Sequence, residues 1–222
     1  MTEILLSAHR LSWTAPLQHG SHWDQSKVML KVRDKVLQRD GYTCQGCGWK
    51  SLQFQEIHHR NHDHSNFKES NLETLCPLCH QVFHPASASV SGGGYMIWLP
   101  EISQEELNRL LIGAFVVLKT GNSHPLFQIA KSVWGILETK KVFLENHIGK
   151  SDPGVYGQLL LRFSPEDYDN RKQTMGAIKM LANPIRFETE IEFWRTTMEK
   201  DKTPSEWVTW AHSLNTADKI AQ

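Results

Sequence analysis

Residues 39–84 read RDGYTCQGCGWKSLQFQEIHHRNHDHSNFKESNLETLCPLCHQVFH, and their reading decides the fold. They hold all four cysteines of the chain, as Cys44-x2-Cys47 and Cys76-x2-Cys79, and six of its twelve histidines. A C-x2-C loop bends back so that both sulfurs reach one ion. Two such knuckles close a tetrahedral thiolate shell, the donor set of a structural Zn2+ site. The 28 residues between Cys47 and Cys76, positions 48 to 75, are then a loop stapled at its base. Disulfides would require an oxidising compartment. The N-terminal MTEILLSAHRLSW offers no sign of one, since it lacks a basic leading segment and a small-residue cleavage site. Reduced, metal-bound cysteines place the chain in the cytoplasm.

A second pattern lies inside the stapled loop. His58-His59 is followed by Asn71, and then by His80 and His84, which at i and i+4 share one face of a helix. With Arg39-Asp40-x-Tyr42-x-Cys44 and Asn71-Leu72-x-Thr74-Leu75-Cys76 around it, this constellation resembles the HNH (ββα-metal) nuclease motif. The resemblance implies an HNH-like ββα fold. It also implies His58, His80 and His84 as ligands of a second divalent ion, His59 as general base for an attacking water, and Asn71 as the residue that pins the hairpin. Each residue also has a plainer reading: Asn71 as an N-cap of the helix carrying Cys76 and Cys79, His84 as a spare histidine after that helix, and His62 and His64 as solvated loop residues. Fold alone does not establish activity.

At 222 residues the chain is too long for the zinc segment alone, so a second cored unit is expected. The 24 Lys and Arg balance 24 Asp and Glu, which excludes a bulk polyelectrolyte binder of nucleic acid. A mild basic bias from Lys27 to Lys68 is compatible with phosphate contacts and equally with a solvated face. No apolar run reaches the ~20 residues that span a bilayer.

Taken in order, residues 3–13 read as a strand and 14–26 as a polar link. Lys27 to Asp40 carries Val28, Val32, Val36 and Leu37 at helical spacing, and Gly41 ends it. A hairpin bears His58-His59, 61–70 is a polar loop, and a short helix carries His80 and His84 up to Pro85. The small residues 86–94 (ASASVSGGG) read as a bend or linker before a strand at YMIWLP. Ser103-x-x-Glu106 is a capping box; it opens a helix with Leu107, Leu110, Leu111, Ala114 and Leu118 on its buried stripe. A second helix runs from Pro125 to about Asn146. Asp152-Pro153 and Ser164-Pro165 each read as an N-cap followed by proline at N1. Residues 185–198 mix strand and helix periods and stay undecided, and Thr203-Pro204-x-Glu206 opens a last helix bearing Trp207 and Trp210. The expected class is α+β: a zinc-stapled HNH-like ββα domain with an N-terminal strand over 1–98, then a mainly helical interaction domain over 99–222.

Beyond the zinc segment, GGGYMIWLPEISQEELNRLL, FQIAKSVW and SDPGVYGQLLLRF resemble the IcmJ (DotN) family of type IVB (Dot/Icm) secretion and conjugation systems. The resemblance runs from about Lys31 to Phe163. It implies a non-catalytic zinc-binding adaptor of the coupling complex. Such an adaptor is peripheral to the inner membrane on its cytoplasmic face, and it binds the C-terminal tail of the coupling ATPase DotL and other coupling-complex subunits to help recruit substrates. The competing expectation is a metal-dependent HNH DNA endonuclease, favoured by the intact His58-His59, Asn71, His80 and His84. The helical half, with Trp134, Trp194, Trp207 and Trp210, is the expected docking surface.

Overall fold

The computed structural model describes residues 1–8 and 27–201. Helix α1 (Lys27–Arg39) ends where the sequence places its stop, with Gly41 at φ 58°. Its Val36 and Leu37 are buried, and the Arg39 guanidinium donates to the carbonyls of Glu69 and Leu72 at 2.7 and 2.8 Å. The first knuckle leads into an antiparallel hairpin of β1 (Glu56–His59) and β2 (Leu72–Leu75), in register His58 to Glu73 and His59 to Leu72. A single helical turn, α2 (Pro77–His80), follows the hairpin and passes through a 3-10 turn at Gln81–Phe83 into α3 (Pro85–Ser91). The ββα order of the expected fold is therefore present.

The small-residue stretch is no linker. Residues 85–91 are helical, Gly92 caps them in the left-handed region at φ 66°, and Gly94 opens strand β3 (Gly94–Trp98). A Cβ at Gly94 would sit 2.3 Å from the Leu181 carbonyl oxygen, so glycine is what lets the strands approach. The partner strand, β4 (Ile178–Ala182), pairs with β3 antiparallel from Gly94–Ala182 to Trp98–Ile178. Trp98, where the expected first unit ends, thus belongs to a strand completed from the far end of the chain.

Between these strands run α4 (Gln104–Thr120), opened by the expected Ser103–Glu106 capping box, then α5 (Phe127–Thr139) and α6 (Lys141–Ile148). The single helix expected from Pro125 to Asn146 is thus two helices that meet at Lys140. Helix α7 (Pro153–Leu160) is capped by Asp152, and α8 (Pro165–Asp169) by Ser164, both as expected. Helix α9 (Arg171–Met175) leads into β4, and the undecided stretch resolves as α10 (Glu188–Asp201).

Residues 1–8 form no strand, contrary to the reading of 3–13. Their alternation instead serves packing: Ile4, Leu6 and Ala8 are buried, Thr2 N–H donates to the Gln45 carbonyl at 2.7 Å, and Arg171 reaches Ser7 Oγ at 3.1 Å. The remainder of that reading, the polar link and the last helix with Trp207 and Trp210 lie outside the described residues. One apolar core takes in Ile4, the four cysteines, Leu107 and Leu111 of α4, Leu181 of β4 and Trp194 of α10. Trp194 is 1% exposed, so it packs the interior edge-on to Trp49 rather than waiting for a partner.

Candidate metal centre

The two knuckles meet. Cys44, Cys47, Cys76 and Cys79 are all buried, their sulfurs lie within 4.8 Å of one another, and none is in a disulfide. Each knuckle is closed by main-chain hydrogen bonds: Cys44 N–H to the Trp49 carbonyl and Gly48 N–H to the Cys44 carbonyl in the first, His80 N–H and Cys79 N–H to the Cys76 carbonyl in the second. The Cys47–Cys76 sulfur separation is 3.6 Å. Zn–S bonds of ~2.3 Å in a tetrahedron give sulfur edges of ~3.8 Å, so the box has the size of one tetrahedral ion. Its electrostatics agree. Hydrogen bonds from the other three thiols hold the Cys44 thiol far below its ordinary value of 9.0, while burial pushes Cys76 and Cys79 well above theirs. Four buried sulfurs cannot all ionise without a compensating dication. A bound ion would supply structural cross-linking between the knuckles.

Helix α4 touches both knuckles, and the cysteine spacing gave no signal of it. Asn108 Nδ2 donates to Cys79 Sγ and to the Leu78 carbonyl, each at 3.2 Å, and Arg109 Nε donates to the Cys47 carbonyl at 2.7 Å. Asn108 in turn accepts from Gln104 Nε2 at 2.9 Å.

The second cluster is also assembled. His58, His80 and His84 each bring a ring nitrogen within 4.8 Å of the others. The three come from β1, α2 and the junction before α3. His84 is 8% exposed, and its Nε2 stands 3.2 Å from His80 Nε2, so it is no spare histidine. Glu56, which the motif reading passed over, meets His80 Nδ1 at 2.5 Å. His58 stacks on Phe83 at 4.2 Å, and burial pushes its pKa down to about 2, so the ring is neutral and able to donate a lone pair. A set of three imidazole donors suits Zn2+, Ni2+ or Cu2+ better than Mg2+. An ion there would supply Lewis acidity.

His59, next along β1, stacks on His64 at 4.7 Å and 28°, with Phe67 edge-on at 6.0 Å, and the His64 ring in turn lies 6.2 Å from that of His84. His62 lies edge-on to His58 at 5.4 Å. Neither His62 nor His64 is the solvated loop residue expected: both are partly buried against the cluster, and burial lowers the His64 pKa. Asn71 pins the loop. Its Oδ1 accepts from Asn61 N–H at 3.2 Å and its Nδ2 donates to the Asn66 carbonyl at 3.0 Å. It does not cap the helix of Cys76, because β2 intervenes and Cys76 itself occupies the N-cap.

No family model matches the chain. Among proteins of known name it is 32% identical over 164 residues to the type 4 apparatus protein DotN of Legionella pneumophila (strain Philadelphia 1), covering 72% of this chain and 76% of that one. A probable HNH endonuclease of Lactococcus phage SK1 is 35% identical over 86 residues, 35% of this chain and 89% of that one. The HNH nuclease-type protein YajD of Salmonella typhimurium is 29% identical over 93 residues, 39% of this chain and 81% of that one. The HNH likenesses extend over little more than a third of the chain, whereas the first extends over most of it: the chain belongs to the DotN family.

Proposed function

We propose that this protein is a zinc-binding adaptor subunit of a type IVB coupling complex, binding the C-terminal tail of the coupling ATPase at the cytoplasmic face of the inner membrane. The observation that carries the reading is the reach of the DotN likeness, 72% of the chain, well beyond the segment shared with HNH proteins. The metal chemistry agrees. A shell of four buried thiolates leaves no open coordination position, which is the pattern of structural rather than catalytic zinc. No helix among the described residues is long and apolar enough to cross a membrane, as a peripheral subunit requires. A groove of about 290 Å3 between α4, α5 and α10, lined by Phe115, Leu118, Trp134, Ile185 and Ile191, has the apolar character that receives an amphipathic segment. The test is co-purification of the full chain with a tail fragment of the coupling ATPase. An apolar contact should hold at low and high salt alike, and failure to retain the tail at any salt would sink the reading.

A second reading, a metal-dependent HNH endonuclease, is favoured by the assembled His58, His80 and His84 and by the pinning contacts of Asn71. In it His59 would take the proton of the attacking water. Nicking of supercoiled plasmid in Mg2+, Mn2+ or Ni2+ that His59→Ala abolishes would establish it. The adaptor reading expects no cleavage above a metal-free control.

A further inference from the structure

The face of α4 that meets the second knuckle is unusual for a core helix. Leu107, Leu111, Ile112 and Phe115 are buried and apolar, yet Gln104 and Asn108, one turn apart, are buried at 4% and 1% exposure. A buried amide is costly unless its hydrogen-bonding capacity is used, and here it is. Gln104 is fixed at both ends of its amide by one residue of β4: Oε1 accepts from Met180 N–H at 2.8 Å, and Nε2 donates to the Met180 carbonyl at 2.9 Å. That settles its orientation, so Nε2 must also be the group donating to Asn108 Oδ1. Asn108 is settled in turn. With Oδ1 committed to Gln104, its Nδ2 hydrogens face the Leu78 carbonyl and Cys79 Sγ, each at 3.2 Å. A thiol is a weak acceptor, whereas a thiolate makes a charge-assisted bond. The whole array is therefore satisfied best when Cys79 is ionised on a metal.

We propose that Asn108 is a positioning residue of the cysteine metal site: its N–H···S bond sets how strongly Cys79 holds the ion, and the relay through Gln104 ties that ion to β4. The inference rests on the reading of the four cysteines as a metal site. Packing alone would be served by leucine at position 108, as at 107 and 111. The relay also gives the metal a mechanical reach. Releasing the ion removes the best acceptor for Asn108 and loosens the clamp that Gln104 places on Met180.

The test uses the full chain loaded with Co2+, in which a thiolate-to-cobalt charge-transfer band reports electron density on sulfur. An N–H···S bond lowers the energy of the sulfur lone pairs. Asn108→Leu should therefore move the band to longer wavelength and weaken metal binding about 10–100-fold, the usual loss for an outer partner of a ligand. The tetrahedral cobalt bands should persist. Met180 N–H should exchange faster with solvent in this variant, and faster still in metal-free wild type. If wild type binds no ion at all, the metal reading itself fails. If wild type binds and Asn108→Leu leaves band position and affinity unchanged, Asn108 is packing and the inference is wrong. Should that variant not fold, the unmutated chain decides: loaded with NMR-active cadmium, it should show scalar coupling between the metal and the Asn108 side-chain amide protons, and absence of that coupling overturns the proposal.

Discussion

The Glu56 carboxylate meets Nδ1 of His80 at 2.5 Å, while Nε2 of the same ring faces Nε2 of His84 at 3.2 Å. A histidine whose Nδ1–H is taken by a carboxylate presents Nε2 as a lone pair in a fixed direction, which is how metal-ligating histidines are commonly held. Glu56 opens β1, two residues before His58, so with an ion bound one strand would supply both a ligand and the group that orients another. Glu56→Gln should weaken Zn2+ or Ni2+ binding at the histidine cluster about 10–100-fold without changing occupancy of the cysteine site. Calorimetric titration of protein whose cysteine site is already filled measures this. Equal second-site affinity in wild type and variant would remove Glu56 from the role.

The cysteine site should be inseparable from folding. The sulfurs of Cys76 and Cys79 are wholly buried in the core that also holds Leu78 and Leu107, so an empty shell leaves polar sulfur and no cross-link at its centre. Structural zinc in small modules contributes on the order of 10 kcal/mol to folding. Cys76→Ser should yield aggregated or protease-sensitive protein, and a strong chelator should do the same to wild type. A Cys76→Ser variant with normal zinc content and melting would show that the ion is held elsewhere.

Acid should unfasten the junction between α1 and β2 through Asp40. Burial by itself raises this carboxyl's pKa. The Arg39 guanidinium at 2.8 Å and the Thr74 N–H at 2.9 Å outweigh burial and hold it below its ordinary 3.8. A carboxylate whose folded-state pKa is depressed contributes stability that is fully present above the unfolded value and is lost as pH falls through the folded one. Wild type should therefore lose this contribution only below about pH 4. Asp40→Asn keeps the shape and removes the charge. It should cost about 1–3 kcal/mol near neutrality and shrink the gap to wild type in strong acid, as read by denaturant melts across pH. A gap that does not narrow with acid would mean the charge contributes nothing.

What could be read from the sequence follows how local each signal is. The knuckles, the stop of α1 at Gly41, the Ser103–Glu106 box and the Asp152 cap are fixed by neighbours a few residues away, and each stands where the sequence puts it. Strand β4 was invisible. Its five residues are all buried, so it shows no alternation, and its partner β3 lies some eighty positions earlier. The small residues of α3 looked like a linker because what holds them helical is distant: Ser89 Oγ donates to Asp152 of the α7 cap at 2.8 Å. His62 and His64 read as solvated loop residues because no motif spacing includes them. Only the loop pinned by Asn71 carries them back onto His58 and His59.

The same distant pairing bears on where the chain can be cut. A fragment of residues 1–98 contains both knuckles, and on the motif alone it would be a self-sufficient zinc module. In the fold it would lose β4, leaving β3 with an unpaired edge, and Asn108 and Arg109, leaving the Leu78 and Cys47 carbonyls without their donors. It would also expose Trp49, which packs edge-on to Trp194 of α10 at 5.9 Å. Each core side chain uncovered, Leu78, Met96 and Ile97 among them, costs about 1.5–3 kcal/mol, comparable in sum to the whole stability of a small domain, about 5–15 kcal/mol. The fragment should therefore be insoluble or protease-sensitive even with saturating zinc. Co-expression with residues 99–222 should rescue it by restoring β4, α4 and α10 in trans. Limited proteolysis and metal content of the purified fragments decide the matter: a 1–98 fragment that resists protease and holds one ion with wild-type affinity would make the zinc module an independent domain, with β4 dispensable to it.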